Sequence, residues 1–122
     1  MARPARVHTK RWNDPISPGD GHRILVCRYR PRGVRKDAET WEEWIPDLGP
    51  SRELHADYWG KHGAPIPWST FRRRYLAEMK AQRDAIVRLA ALGTVTLLCS
   101  SACTDPDRCH RTLLRDLVVA AH

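Results

Sequence analysis

The sequence predicts an α/β fold, a small, largely parallel sheet flanked by helices, in a single compact domain spanning residues 1–122. Three observations predict it. Arg23 to Tyr29 holds the continuous run Ile24-Leu25-Val26, and Thr94 to Leu98 reads Thr-Val-Thr-Leu-Leu; runs of this kind mark strands covered on both faces. Between and after them lie stretches whose apolar residues recur at helical spacing, and strands that alternate with helices are joined by crossovers that leave them parallel. The length of 122 residues fits the ~100 to 150 residues of one domain, enough to bury one core and not two.

The elements follow in order. Val7 to Trp12 is expected as a short strand, and Asn13 to Gly21 as a connection rich in turn formers. The strand from Arg23 is stopped by Pro31 and Gly33. Asp37 to Leu48 places Trp41, Trp44, Ile45 and Leu48 at spacings of three and four, which predicts a helix capped by Asp37, with Pro46 disturbing its last turn. Ser51 is expected to cap a short helix reaching Trp59, and Gly60, Gly63, Pro65 and Pro67 mark the loop behind it. Ser69 to Leu92 reads as the longest helix, with Phe71, Tyr75, Met79, Ile86 and Leu89 on one face and Gly93 as its stop. Thr94 to Leu98 is the second buried strand, leading into Cys99. Asp105 and Pro106 form an N-cap and first-turn pair for a last helix buried along Leu113, Leu114, Leu117, Val118 and Ala121.

Composition narrows the setting. No stretch approaches the ~18 apolar residues of a membrane span, and no apolar run follows the basic N-terminus as it would in a secretory signal. The expected location is the cytoplasm, without membrane association, and Cys27, Cys99, Cys103 and Cys109 are expected as thiols or metal ligands, not disulfides. The net charge of +7 is concentrated at the front: residues 1 to 36 carry ten Lys/Arg against Asp14 and Asp20. Such asymmetry favours an anionic partner. A small phosphate- or carboxylate-bearing ligand, in some readings a nucleotide, is the first expectation. Nucleic acid bound through the basic N-terminal third, with Trp12 and Tyr29 stacking on bases, is the second. Residues 1–12, with Arg3, Arg6, Lys10 and Arg11, also read as a flexible, solvated arm.

Parallel sheets bind ligands at the carboxyl ends of their strands, and both predicted strands end in reactive or cationic residues. The first runs into Cys27-Arg28-Tyr29-Arg30-Pro31-Arg32, the second into Cys99, Cys103 and then Asp105, Cys109, His110 and Arg111. Arg28, Arg30 and Arg32 alternate, so in an extended segment they share one face, and Arg28 and Arg32 are the candidates to clamp an anion; ion pairs to Glu42, Glu43 or Asp47 are the structural alternative. Asp105 at the helix start and Arg111 are further candidate ligand-binding residues. Cys109, His110 and Cys103 are the candidate catalytic residues, because a thiol near a helix N-terminus and a histidine is an activated nucleophile when geometry brings them into reach. Cys109 is expected to hold the most acidic thiol, buried towards the sheet, and Cys27 the most inert one. Four thiols converging from Cys27, Cys99, Cys103 and Cys109 would suit zinc or an iron-sulfur cluster, although the spacing lacks the usual two-residue pairs. A redox pair, Cys103 with Cys109 or Cys27 with Cys99, is the remaining thiol chemistry.

Over residues 6 to 119 the chain resembles the YeaO-like family, known as domain of unknown function 488. The resemblance rests on Asp20-Gly21-His22-Arg23-Ile24-Leu25-Val26, Arg28, Pro31-Arg32-Gly33-Val34, Trp44, Leu48, Pro50-Ser51, Phe71, Arg74, Tyr75, Glu78 and Gly93 to Leu98, in that order. Many members carry Asp in place of Cys27 and Trp in place of Arg30. The ending from Cys99 through Cys103 to Cys109-His110-Arg111 is similar to the cysteine-bearing branches. The resemblance implies a compact intracellular α/β fold; the chemistry rests on the residues above.

Overall fold

Four parallel strands make one sheet in the computed structural model, which describes residues 6–121. They are β1 (Arg6–Arg11), β2 (His22–Leu25), β3 (Glu43–Trp44) and β4 (Thr94–Cys99), in the spatial order β1-β4-β2-β3. Four α-helices accompany them: α1 (Arg52–Tyr58), α2 (Trp68–Met79), α3 (Arg83–Ala90) and α4 (His110–Ala120). None is long and apolar enough to cross a membrane.

The most apolar strand takes the middle of the sheet. Val95, Leu97 and Leu98 of β4 are fully buried, with β1 hydrogen-bonded on one side and β2 on the other. Alternation along β2 then divides the core. Ile24 and Val26 join Leu54, Phe71, Tyr75, Leu89, Leu114 and Val118 in the main cluster. Leu25 and Cys27 join Trp41, Leu98, Cys99 and Cys109 in a smaller one. The thiols therefore sit within a packed layer, at the edge where β2 and β4 end.

Several expectations are corrected. The basic segment expected as a flexible arm is strand β1 from Arg6 onward, and its charges are spent locally: Lys10 pairs with Asp20 at 2.8 Å and Arg11 with Asp14 at 3.0 Å. Arg3 lies outside the described residues. The helix expected from Asp37 to Leu48 is absent. In its place stand two 3₁₀ turns, Lys36–Ala38 and Pro46–Leu48, around β3. The free edge of β2 claims this backbone: Glu42 N–H donates to Arg23 O at 2.9 Å and Ile45 N–H to Leu25 O at 3.0 Å. An open strand edge offers bonds that a helical period does not reveal, and Pro46 cannot continue a helix. The long helix is two helices, α2 and α3, separated by the 3₁₀ turn Lys80–Gln82; no glycine or proline explains the break.

Other local expectations match. Ser51 Oγ accepts the Leu54 N–H at 3.1 Å and donates to Glu78 Oε2 at 2.6 Å, so the cap of α1 is also tied to α2. Gly93 ends the α3 connection at φ +84°. Asp105 and Pro106, in contrast, open a separate 3₁₀ turn, Pro106–Arg108. Cys109 follows in extended conformation as the N-cap residue of α4, so that helix begins at His110.

Gly49 is where the second 3₁₀ turn presses on the end of β2. A Cβ there would lie 2.5 Å from Arg28 N and 2.9 Å from Cys27 C, both backbone atoms. Gly49→Ala is expected to cost about 1–3 kcal/mol, the usual penalty of overpacking, and to shift the Cys27–Arg28 backbone. Urea unfolding checks this; an unchanged midpoint would mean that the loop yields freely.

Candidate functional site

β2 and β4 leave the sheet side by side. One residue beyond the paired register, Val26 N–H still donates to Leu98 O at 3.0 Å. Cys27 Sγ thus lies 3.7 Å from Cys99 Sγ. Beyond Cys99 the chain turns, with Cys103 N–H donating to Ser100 O at 3.0 Å, and this turn returns Cys103 Sγ to 3.2 Å from Cys99 Sγ. Cys109, at the N-cap of α4, completes a trio: the sulfurs of Cys99, Cys103 and Cys109 all lie within 4.8 Å of one another. Cys27 is not part of that group. The two strand ends expected to face each other therefore do so, at the distance of direct contact.

His110 is buried, and its Nε2 lies 2.7 Å from Val26 O. A carbonyl oxygen only accepts, so Nε2 carries the proton. Burial lowers the imidazole pKa, which leaves the ring neutral and Nδ1 as a lone pair, 3.9 Å from Cys99 Sγ. Tyr75 backs the ring at 5.4 Å between centroids and donates its hydroxyl to Leu48 O at 2.7 Å. Arg111 is 5% exposed. Its Nη2 donates to Cys103 O at 3.3 Å, while Nε and Nη1 are buried without a hydrogen-bond partner among the described residues.

The thiols line a cavity of about 420 Å³, within the usual range of small-molecule sites, roughly 300 to 1,000 Å³. Its wall is aromatic, from Tyr29, His55, Tyr58, Trp59 and Phe71, and Arg28, Asp105 and Arg108 stand among its polar lining. Tyr29, Trp59 and Arg108 are exposed.

The family profile described as the active DUF488-N3 subclade matches residues 7–122. The chain is 36% identical over 113 residues to the uncharacterised protein YeaO of Escherichia coli, across 90% of this chain and 94% of that protein. It is 39% identical over 120 residues to an uncharacterised protein of Mycobacterium bovis, across 97% of this chain and 98% of that one, and a Mycobacterium tuberculosis protein matches to the same extent. The chain belongs to the YeaO-like DUF488 family. No solved structure matches it.

In this DUF488 protein the expected site residues divide. Cys27, Cys99, Cys103, Cys109 and His110 line the cavity together. The arginine clamp does not form. Arg28 reaches the cavity, but its guanidinium is held by Pro50 O at 2.9 Å and Asp47 at 2.9 Å. Arg30 pairs with Glu39 and lies over Trp41, and Arg32 is exposed away from the lining. The segment turns after Cys27, so alternation no longer places the three on one face. Arg111 lies behind the Cys103 loop, and Asp105 accepts Asp107 N–H at the rim. Sequence reasoning missed His55, Tyr58 and Trp59; the spacing of four from His55 to Trp59 on the Ser51-capped helix was the available signal.

The acidity order is also corrected. Cys109 was expected to hold the thiolate, but it is raised: the neighbouring Cys103 and Cys99 sulfurs both favour its protonated form, and burial adds to them. Cys99 is raised chiefly by its bond to Cys103. With the Cys109 sulfur close by, Cys103 Sγ accepts the Cys99 S–H, and with the Arg111 guanidinium nearby its thiol is lowered to about 3. These directions favour the thiolate on Cys103, the half-buried sulfur of the trio. The three sulfurs are also close enough to hold one soft metal ion, with His110 Nδ1 as the nearest further donor.

Limiting iodoacetamide is expected to label Cys103 before Cys27, Cys99 and Cys109. Its rate should stay flat from about pH 8 to 5, whereas an ordinary thiol with pKa near 8.5 loses about tenfold per pH unit below that value. Peptide mapping that found Cys109 or Cys27 labelled first would overturn the charge placement.

Proposed function

We propose that the strand-end cavity binds a small molecule bearing a planar ring and an anionic group, of the nucleotide class, and acts on it through the Cys103 thiolate. One observation carries this reading: the half-buried Cys103 sulfur lies on the cavity lining, in contact with Cys99, and the buried Arg111 guanidinium donates to the Cys103 carbonyl while two of its nitrogens have no hydrogen-bond partner among the described residues. An unpaired buried cation is costly, and a thiolate in contact with the same loop offsets it. Tyr29, His55 and Trp59 offer ring faces and edges for stacking. Arg108, at the rim and engaged in no ion pair among the described residues, supplies charge for the anion in place of Arg28 and Arg32. Cys99 and Cys109 act as S–H donors to the thiolate, and His110 holds the lone pair behind them.

A thiolate-bound metal is the second reading, favoured by the 4.8 Å convergence of three sulfurs. Elemental analysis of purified protein decides it: about one zinc per chain, with thiols protected until a chelator is added, would replace the nucleophile reading. Nucleic-acid binding through the N-terminal third draws less support, because Lys10 and Arg11 are already paired and Trp12 packs edge-on against Trp41.

Protection from alkylation tests the ligand class. AMP at millimolar concentration is expected to slow Cys103 labelling several-fold, adenosine less, and inorganic phosphate least. Arg108→Ala should weaken the AMP effect about tenfold, in line with the ~1.5–3 kcal/mol of a charged hydrogen bond, and leave adenosine unchanged. Equal labelling rates with and without all three compounds would sink the nucleotide-class assignment.

A further inference from the structure

We infer that Cys99 is the resolving thiol of a two-electron redox pair with Cys103, and that His110 is the base that takes the Cys99 proton. The inference rests on Cys103 as the attacking thiolate and adds a second sulfur and a co-reactant class, a low-molecular-weight disulfide. The Cys99–Cys103 distance is 3.2 Å, shorter than the 3.7 Å from Cys27 to Cys99. Closing it to a bond of about 2.05 Å requires a movement of roughly 1.2 Å. The two partners are unequal in a useful way. Cys99 ends a fully paired central strand and is buried, while Cys103 is half-buried in a short turn on the cavity lining. The outer sulfur is the more open to a ligand; the inner one is buried among the other thiols, with Cys103 at 3.2 Å.

His110 makes the inner sulfur usable. Its Nε2–H is fixed on Val26 O, so the free lone pair of Nδ1 is held 3.9 Å from Cys99 Sγ. Cys109 sits at the N-cap of α4, and no comparable base is within hydrogen-bond reach of it among the described residues.

The chemistry balances in two exchanges. The Cys103 thiolate attacks one sulfur of the disulfide; a Cys103–S–S–R bond forms, the original S–S bond breaks, and one RS⁻ leaves with the electron pair. Cys99 then passes its proton to His110 Nδ1 and attacks Cys103 Sγ. The Cys99–Cys103 bond forms, and the second RS⁻ departs, taking the proton from His110. One external disulfide is reduced to two thiols and the protein pair is oxidised by two electrons; an external dithiol reverses the process.

The test uses the reduced full-length chain with oxidised glutathione. The expected product is a protein lighter by two hydrogens. Alkylation after unfolding should then reach Cys27 and Cys109 but not Cys99 or Cys103. Cys99→Ala should instead stop with one glutathionyl group on Cys103, and His110→Gln should slow the second exchange about a hundredfold, the usual worth of a positioned base, and far more than the first. Wild-type mapping alone decides the matter should either variant fail to fold. A lasting glutathionyl adduct in the wild type, or a bridge from Cys103 to Cys109, would overturn the pairing. Rapid Cys103 alkylation without any bridge would remove this inference and leave the proposed function standing; a Cys103 that neither alkylates nor takes glutathione would remove both.

Discussion

Val26 is the point on which the site depends. Its N–H continues the β2–β4 ladder to Leu98 O, and its C=O accepts the Nε2–H of His110. A single buried residue therefore joins the sheet's two central strands and the first residue of α4. The parallel register, Ile24 against Leu97 and Leu25 against Leu98, sets Cys27 beside Cys99. The carbonyl then sets the histidine's tautomer and aims its other nitrogen at the sulfurs. Leaving such a buried group unpaired costs ~1–3 kcal/mol, so the arrangement of sheet, helix and thiols is energetically one unit.

Charge is organised around the same point. Three thiols and a neutral histidine occupy a small volume with one buried guanidinium, and a positive charge there requires a negative one nearby. A helix N-terminus by itself would favour a thiolate at Cys109. Burial of that sulfur on the core side, with two thiol neighbours, reverses the preference. The favoured sulfur is the one on a turn that reaches the cavity. Contacts among the thiols thus favour Cys103, and not Cys109 at the helix start, as the more acidic one.

Local patterns were legible where one interaction decides the outcome. The β-branched run before Cys99, the Ser51 cap and the Gly93 stop each depend on a few neighbouring residues, and each is present. The stretch from Asp37 to Leu48 was illegible because its tryptophans serve different purposes at a helical spacing by coincidence. Trp41 is buried in the smaller cluster, whereas Trp44 donates its indole N–H to Cys27 O at 2.8 Å from the edge strand. Arg28 illustrates the same limit. Its sequence position says that it lies at a strand end; only the folded loop shows its donors taken by Pro50, Gly49 and Asp47.

By itself the sequence determined the α/β class, the parallel sheet and the meeting of two reactive strand ends, because apolar runs and turn residues act over short range and a parallel sheet gathers its strand ends at one edge. It also identified the thiols, His110 and Arg111 as the chemistry present. Only the tertiary structure decided their surroundings: which sulfur is least buried, which nitrogen of His110 faces a carbonyl, which arginines are already paired, and which aromatic residues from α1 wall the cavity. Those properties follow from distances between residues far apart in the chain, such as Val26 and His110, and from burial, which shifts protonation according to surroundings that no local pattern records.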